Sequence, residues 1–528
     1  MPGMKPAVRG VCVLAGVLAA GAAVRCVGLR HGAPNRIYHP DVGKLAKTAS
    51  DIYHGDLGPI TGPGGDYRRK AYPFGHAILT AHVLRAADRV AGRQRPNYRD
   101  GRSAVHWRWT LILRWFSVVG ALAGIAVLLA ASRRLVTAPG WIAAGLLLAL
   151  EPFHAQYSHY GMNDVPMVTA LLLVWATGLG IPRKGVAGPL WAAVAGVCLG
   201  AGFGIKYQAV LGGVLLVPPA WQLAVERRWT ALAGCAGAVA AGAAAGAWLT
   251  SPLLRRPDVF WTMFVPFMRW QSAIVPCDAP WPLKAGRNLL GMLRMTAASG
   301  QLAVAVLAVT GWVRFGRRRA GPTGRLQASG GLLFAGVLLF VLAGFRAFPR
   351  SNDLLPLFPI AAVLIGLSMP ARVRGASPRA KVWMAAVWLC VGWYGAVAVL
   401  DSRALARPDT RERALAWCRR NVRPGDTVYR EHYTLPLRMD GVHEQFIGMA
   451  TRGVQKGRIL ENRVDHLILS SLVYERYFDR LSPQRDARKA GFYTYLFENY
   501  PQRASFRDRR LFFAHPHIRI LGPRPRES

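Results

Sequence analysis

The chain has 528 residues, of which 52% are hydrophobic and only 18% charged, and its mean hydropathy is +0.20. That balance is too apolar for an ordinary soluble domain and points to a membrane protein. Lys and Arg number 67 against 27 Asp and Glu, a formal net charge of +40, and ten of the 67 are lysine. Arginine carries the charge, which reads as compositional bias rather than as a nucleic-acid surface, so no nucleic-acid partner is expected. Seven scattered cysteines (Cys12, Cys26, Cys198, Cys235, Cys277, Cys390, Cys418) form no CxxC pair, which argues against a zinc site or a disulfide scaffold; only Cys277 and Cys418 are candidates to pair.

In chain order, the first element is an apolar run from Gly10 to Val24 behind Lys5 and Arg9. It has the length of a signal-peptide core but no small-residue cleavage site before Arg25, so it is expected to stay as a first span. Ten uncharged intervals follow, at 115–132, 135–150, 165–182, 185–205, 207–225, 229–254, 295–313, 326–345, 354–371 and 382–400. Most suit a bilayer-spanning helix of roughly 17 to 25 residues. The expectation is a mainly α polytopic membrane protein with about eleven transmembrane helices.

Alternate connections carry the basic residues: Arg133 and Arg134; Arg183 and Lys184; Arg227 and Arg228; Arg314 with Arg317 to Arg319; and Arg372, Arg374, Arg379 and Lys381. Positive charge marks the cytoplasmic side, so the N-terminus is expected inside and the C-terminus outside the cytoplasmic (inner) membrane. The long segments 30–108 and 251–290 then lie outside, together with a tail from Asp401. Within 251–290, Val259 to Met268 suits an interfacial helix. The tail begins with a helical pattern over Thr410–Asn421, turns at residues 423–426 and continues into a strand-like Thr427–Tyr429. Residues Val464 to Val473 read as a buried strand and a turn, so a small extracytoplasmic α/β domain over 401–528 is expected after a membrane domain over 1–400.

Ionisable groups then collect at the outer helix ends, where those facing a membrane cavity are functional by default. Tyr38-His39-Pro40-Asp41-Val42 follows the first span, with Lys44 and Lys47 behind it. Residues 151–166, from Glu151 through His154, His159, Asn163 and Asp164 to Pro166, join spans three and four. Lys206 is the single charge between spans five and six, and residues 345–353 bring Arg346 and Arg350 into the apolar run 354–360. Carboxylates Asp41 and Asp164 beside cations Lys206, Arg346 and Arg350 suit transfer from a phosphate leaving group: a base takes a hydroxyl proton while the cations neutralise the departing phosphate. The outer-face histidines His54, His76, His154 and His159 fit interfacial hydrogen bonding and are given no chemistry.

With His39-Pro40-Asp41 after a first span, Tyr72-Pro73, Asn163-Asp164-Val165-Pro166, Gly202 to Tyr207 and the arginine-bearing turn before Leu354 to Pro359, the chain resembles the GT-C membrane glycosyltransferases, in the branch related to dolichyl-phosphate-mannose-protein mannosyltransferase. The likeness covers about residues 8–400. It implies an inverting enzyme that moves a sugar from a polyprenyl-phosphate sugar to an acceptor hydroxyl on a protein, glycan or lipid outside the membrane. Asp41 matches the family's proposed general base, Asp164 a position that places substrate, and Lys206 and Arg350, with Arg346 a weaker match, positions near the lipid phosphate. Val42 stands where the family usually has glutamate, which puts the substrate class in doubt. Two aspartates with His39 or His159 make a conceivable ligand set for a metal, but no metal or other cofactor is expected. The rival readings are a secondary transporter or lipid flippase, which would place charges at mid-membrane in paired repeats, and a non-catalytic scaffold.

Overall fold

The computed structural model describes residues 6–32, 40–56, 73–92, 102–273, 281–317, 320–345, 350–372, 375–451, 453–461, 464–479, 485–509, 511 and 514–523. They fall into two compact units, one within residues 1–29 and 40–402, the other within 30–39 and 403–528.

The first unit is all helical among the described residues. In chain order its helices are α1 (Pro6–Cys26), α2 (Pro40–His54), α3 (Gly75–Val90), α4 (Arg102–Ser132), α5 (Ala138–Ala149), α6 (Pro152–Ser158), α7 (Asp164–Gly178) and α8 (Ala187–Ile205). A 3₁₀ run over Tyr207–Leu216 leads into α9 (Val217–Val225), followed by α10 (Trp229–Thr250), α11 (Pro257–Ala273), α12 (Trp281–Ala298), α13 (Gln301–Gly311), α14 (Pro322–Gly344), α15 (Leu357–Ser368) and α16 (Pro378–Leu405). Among the described residues seven helical runs are long and apolar enough to cross a membrane, and residues 281–297 with 301–316, bent by 99°, make an eighth if taken as one span. Three expected spans are shorter apolar helices, Gly10–Cys26, Ala138–Ala149 and Asp164–Gly178. At 1.5 Å per residue the twelve residues of α5 reach about 18 Å, short of a hydrocarbon core of about 30 Å. The eleven apolar segments are therefore in the expected places, and of the three shorter ones α5 and α7 fall well short of that thickness. Thr137 caps α5 through the Gly140 amide, and α7 opens at Asp164 after Gly161 (φ +67°). The expected interfacial helix at Val259–Met268 is part of α11.

Close backbone approach holds α8 against α10. A Cβ on Gly196 or Gly200 would meet Val239 O at 2.2 Å or Ala243 O at 2.0 Å, and one on Gly242 or Gly246 would meet Ala193 O at 2.3 Å or Val197 O at 2.2 Å. Two GxxxG faces thus interlock, the arrangement that lets helices associate in lipid without a hydrophobic driving force. Gly75, at the start of α3, sits equally close to the end of α8: its Cβ would lie 2.5 Å from the Gly204 carbonyl carbon.

The second unit carries α17 (Thr410–Asn421), β1 (Thr427–Glu431), β2 (His443–Gly448), α18 (Gly453–Leu460), β3 (His466–Ser470), α19 (Ser471–Phe478), α20 (Ala487–Asn499), β4 (Gln502–Phe506) and β5 (Ile518–Leu521). The sheet order is β2-β1-β3-β5-β4; β1 runs parallel to β2 and β3, and β5 antiparallel to β3 and β4. One face, with Val428, Ile468, Ile518 and Ile520, packs on α17 through Leu415 and Cys418. The other, with Tyr429, Leu467 and Leu469, packs on Tyr474, Tyr477, Tyr493 and Leu496. Covering on both faces is why β3 reads as a continuous apolar run. The expected turn after that strand is instead α19: with the sheet buried on both sides, residues 471–478 place Val473, Tyr474 and Tyr477 inward at helical spacing.

Candidate functional site

The site is built where three pieces of irregular backbone meet. Helix α8 ends at Ile205, Lys206 is extended (φ −156°, ψ 124°), and the 3₁₀ run begins at Tyr207. Helix α7 opens on Asp164, and a short 3₁₀ turn over Ser351–Leu354 precedes α15. In a membrane such backbone is tolerated only where protein or a cavity surrounds it.

Lys206 Nζ donates to Asp164 Oδ1 at 2.6 Å and to Asp353 Oδ1 at 3.3 Å. The carboxylates are 2% and 0% exposed and the lysine side chain 15%. Asn352 Nδ2 donates to Asp164 Oδ1 at 2.8 Å, Gln208 Nε2 to Asp353 Oδ1 at 2.9 Å, and the Arg350 amide to Asp353 Oδ2 at 3.1 Å. Next to Asp164, Asn163 Nδ2 donates to the Pro73 carbonyl at 2.6 Å. Tyr157 OH, on α6, meets Ser351 Oγ at 2.9 Å. An ammonium has three protons to donate, and two are spent on Asp164 and Asp353. The third has no partner among the described residues.

Helix α6 is itself anchored. Glu151 caps it through the His154 amide at 2.5 Å and accepts from Gln301 Nε2 on α13. Arg25 is fully buried and donates to Gly21 O at 2.9 Å, to Ala149 O at 2.5 Å and to His154 Nδ1 at 2.8 Å. Because arginine can only donate, His154 Nδ1 accepts and its proton is on Nε2. At the other end His159 is engaged by the carbonyls of Ala155 (2.9 Å) and Val27 (2.8 Å), so its ring binds backbone rather than either aspartate. His76, buried at the start of α3, meets Ser117 Oγ at 3.4 Å.

The structure thus joins Asp164 and Lys206, and reaches Arg350 through its backbone amide while its side chain is exposed. Asp41 is not one of the carboxylates bonded to Lys206; it lies in the first turn of α2, its side chain 24% exposed, 3.1 Å from Lys44. Helix α2 packs on α3 and α4, and α3 carries Gly75 against the residues before Lys206. Val42 is 1% exposed, so the position of the family's glutamate is here part of the apolar interior. Arg346, His39 and Cys277 lie outside the described residues, and Cys418 is a buried free thiol. Among the described residues no three His, Cys, Asp or Glu side chains gather as metal ligands. Asp353, Asn352 and Gln208 are the residues that sequence reasoning did not single out. Asp353 had a signal, being the acid that closes the arginine-bearing turn and bounds an uncharged interval; Gln208 had none.

One turn along α7 from Asp164, at Val168, a narrow apolar cleft lies between α7, the 3₁₀ run, α14 and α15, lined by Leu171, Trp175, Leu215, Phe334 and Ile360 among others. Above the Lys206 break, Tyr207 lies 4.9 Å from Phe264 and 6.0 Å from Phe267, centroid to centroid, which ties α11 to the site.

The helical membrane unit with its small α/β unit has the GT-C fold, shown by its likeness to a solved structure. ArnT from Cupriavidus metallidurans, solved bound to undecaprenyl phosphate, aligns over 98% of this chain and 98% of its own with a TM-score of 0.51 and 15% identity. Arabinosyltransferase EmbB from Mycobacterium smegmatis covers 77% of this chain at TM-score 0.40, and arabinofuranosyltransferase AftD from Mycobacteria 97% at 0.41; each is 12% identical and matched over 40% of its own length. No protein-family model and no curated protein matches the sequence.

Proposed function

We propose that the protein is a membrane glycosyltransferase that moves a sugar from a polyprenyl-phosphate sugar to an acceptor hydroxyl on the extracytoplasmic side. The observation that carries this reading is the Lys206 ammonium, held between two buried carboxylates with one proton unspent, a turn of helix away from an apolar cleft. An unspent ammonium proton beside an apolar cleft suits a phosphate on an isoprenoid tail, with the exposed Arg350 supplying the positive charge that the two carboxylates take from Lys206. The structural likeness to ArnT, whose solved complex holds undecaprenyl phosphate, supports the same donor class.

In this reading Asp41 takes the acceptor proton as general base, Lys206, Arg350 and Arg346 are assigned to the phosphate, and Asp164 orients substrate. Protein, glycan or lipid acceptors all offer the hydroxyl required, and no metal is assigned a step. The mannosyltransferase-like branch is our reading of the Asp41 and Asp164 motifs. The test is release of polyprenyl phosphate from a panel of polyprenyl-phosphate sugars by the purified protein in lipid, beside Asp41→Asn and Lys206→Ala. Release by the wild type, lost in both variants, supports the assignment; turnover that survives Asp41→Asn removes that residue as the base.

A further inference from the structure

Three side-chain amides around Lys206 share a constraint. Asn163, Gln208 and Asn352 each donate their NH₂ to a group with no proton to return: the Pro73 carbonyl, the Asp353 carboxylate and the Asp164 carboxylate. The partners therefore dictate the orientation of all three, since turning any amide over would set oxygen against oxygen. Their other ends, Asn163 Oδ1, Gln208 Oε1 and Asn352 Oδ1, are buried oxygens that accept no hydrogen bond among the described residues. Asn163 as a whole is 3% exposed. Buried acceptors are ordinarily paired, so three on residues bonded or adjacent to one ion cluster call for hydrogen-bond donors.

The phosphodiester of a polyprenyl-phosphate sugar cannot supply them, because it carries no proton at neutral pH. Glycosyl hydroxyls can. We infer that this amide rim is the subsite for the sugar of the donor: its oxygens accept from ring hydroxyls, while the phosphate one bond away takes the remaining proton of Lys206. This rests on the donor class proposed above and adds which groups read the sugar. Discrimination follows from the same chemistry, since a site built to accept from hydroxyls is left unpaired by an analogue that lacks them.

The experiment compares three ligands for the protein in lipid nanodiscs: bare polyprenyl phosphate, a polyprenyl-phosphate hexose, and the same hexose with its hydroxyls O-methylated. The hexose form is expected to bind at least about tenfold more tightly than the other two, equivalent to roughly one good hydrogen bond. Gln208→Leu and Asn352→Leu, which also remove a donor from the carboxylates that hold Lys206, should bring the affinities for the hexose form and the bare lipid together. Equal binding of all three lipids, or variants that weaken the bare lipid as much as the hexose form, overturns the inference. If no lipid binds, the donor class is wrong, and the rim is then read by thermal stabilisation with methyl glycosides, inorganic phosphate and Mg²⁺. Stabilisation by glycosides that both variants lose keeps the rim as a sugar site; stabilisation by phosphate or Mg²⁺ alone, or by none of the three, overturns it.

Discussion

Lys206 is the residue on which most of the membrane unit's polar chemistry turns. With Asp164 and Asp353 both buried, removing the ammonium strands two carboxylates, and breaking a buried pair in this way costs roughly 3–5 kcal/mol. Lys206→Met should lower the melting temperature of the detergent-solubilised protein by several degrees, whereas Lys206→Arg, which keeps a charge, should recover part of that loss; a Met variant as stable as wild type would show that the cluster does not support the fold. In the second unit Glu431 is the comparable group. It is fully buried, accepting from Tyr493, from the Ala450 amide at 2.9 Å and from the Ser470 amide at 3.3 Å, and burial pushes its carboxyl up to about 7. A carboxyl raised in the folded state favours folding fully below its unfolded value near 4.5, and that contribution disappears as pH climbs to about 7. Over this window the loss is at most about 3.5 kcal/mol, because each tenfold change in proton affinity is worth about 1.4 kcal/mol. Hydrogen-exchange protection of β1 and β3, corrected for intrinsic rates, should therefore fall between about pH 5 and pH 8 in wild type and change far less in Glu431→Gln. Asp409 works in the opposite direction: burial would raise it, but Arg411 at 2.7 Å and the His515 amide at 2.8 Å hold its carboxyl below the usual range.

At the scale of elements, two devices fix the helices that present the site. The first is the glycine seam between α8 and α10, which places the Lys206 break. Adding a methyl to Gly200 forces it to 2.0 Å from a carbonyl oxygen, and overpacking of this degree costs about 1–3 kcal/mol. Gly200→Ala should lower thermal stability, and activity through misplacement of Lys206, while Gly237→Ala, with open space at its Cβ, should do neither. The second is the anchoring of α6 by Arg25, Glu151, His154 and Gln301. Gln301→Leu removes a donor from a buried carboxylate, for which a loss of about 1–3 kcal/mol is expected, measured as a drop in melting temperature. A variant that unfolds with wild-type stability would mean that α6 is held by packing alone.

For the whole molecule, the distribution of arginine predicts how it sits in the membrane. Residues 401–528 should be cut by protease added to spheroplasts, while the connections at Arg133–Arg134 and Arg314–Arg319 should be protected until the membrane is opened. Cleavage with the opposite sidedness would invert the orientation and remove the extracytoplasmic reading of the site. The mean hydropathy and the charge spacing make sense only at this scale, since no single helix displays them.

Sequence alone determined the apolar segments and the start of the tail, because both depend on local information. A bilayer demands about twenty uncharged residues in succession, and Thr410–Asn421 is bounded by its own signals, the Asp409 cap and Pro424-Gly425 after it. It also marked Asp164, Lys206 and the turn at 345–353, since an isolated charge at the edge of an apolar interval is visible one residue at a time. Only the tertiary structure decided which charges meet. Asp164 and Asp353 lie 42 and 147 residues from Lys206 in their ion pairs, and nothing in the spacing distinguishes Asp353 from Asp41 as the second carboxylate on the lysine. That choice is made by helix packing, through glycine contacts and the short reach of α7, and packing has no signature in the order of residues along one helix.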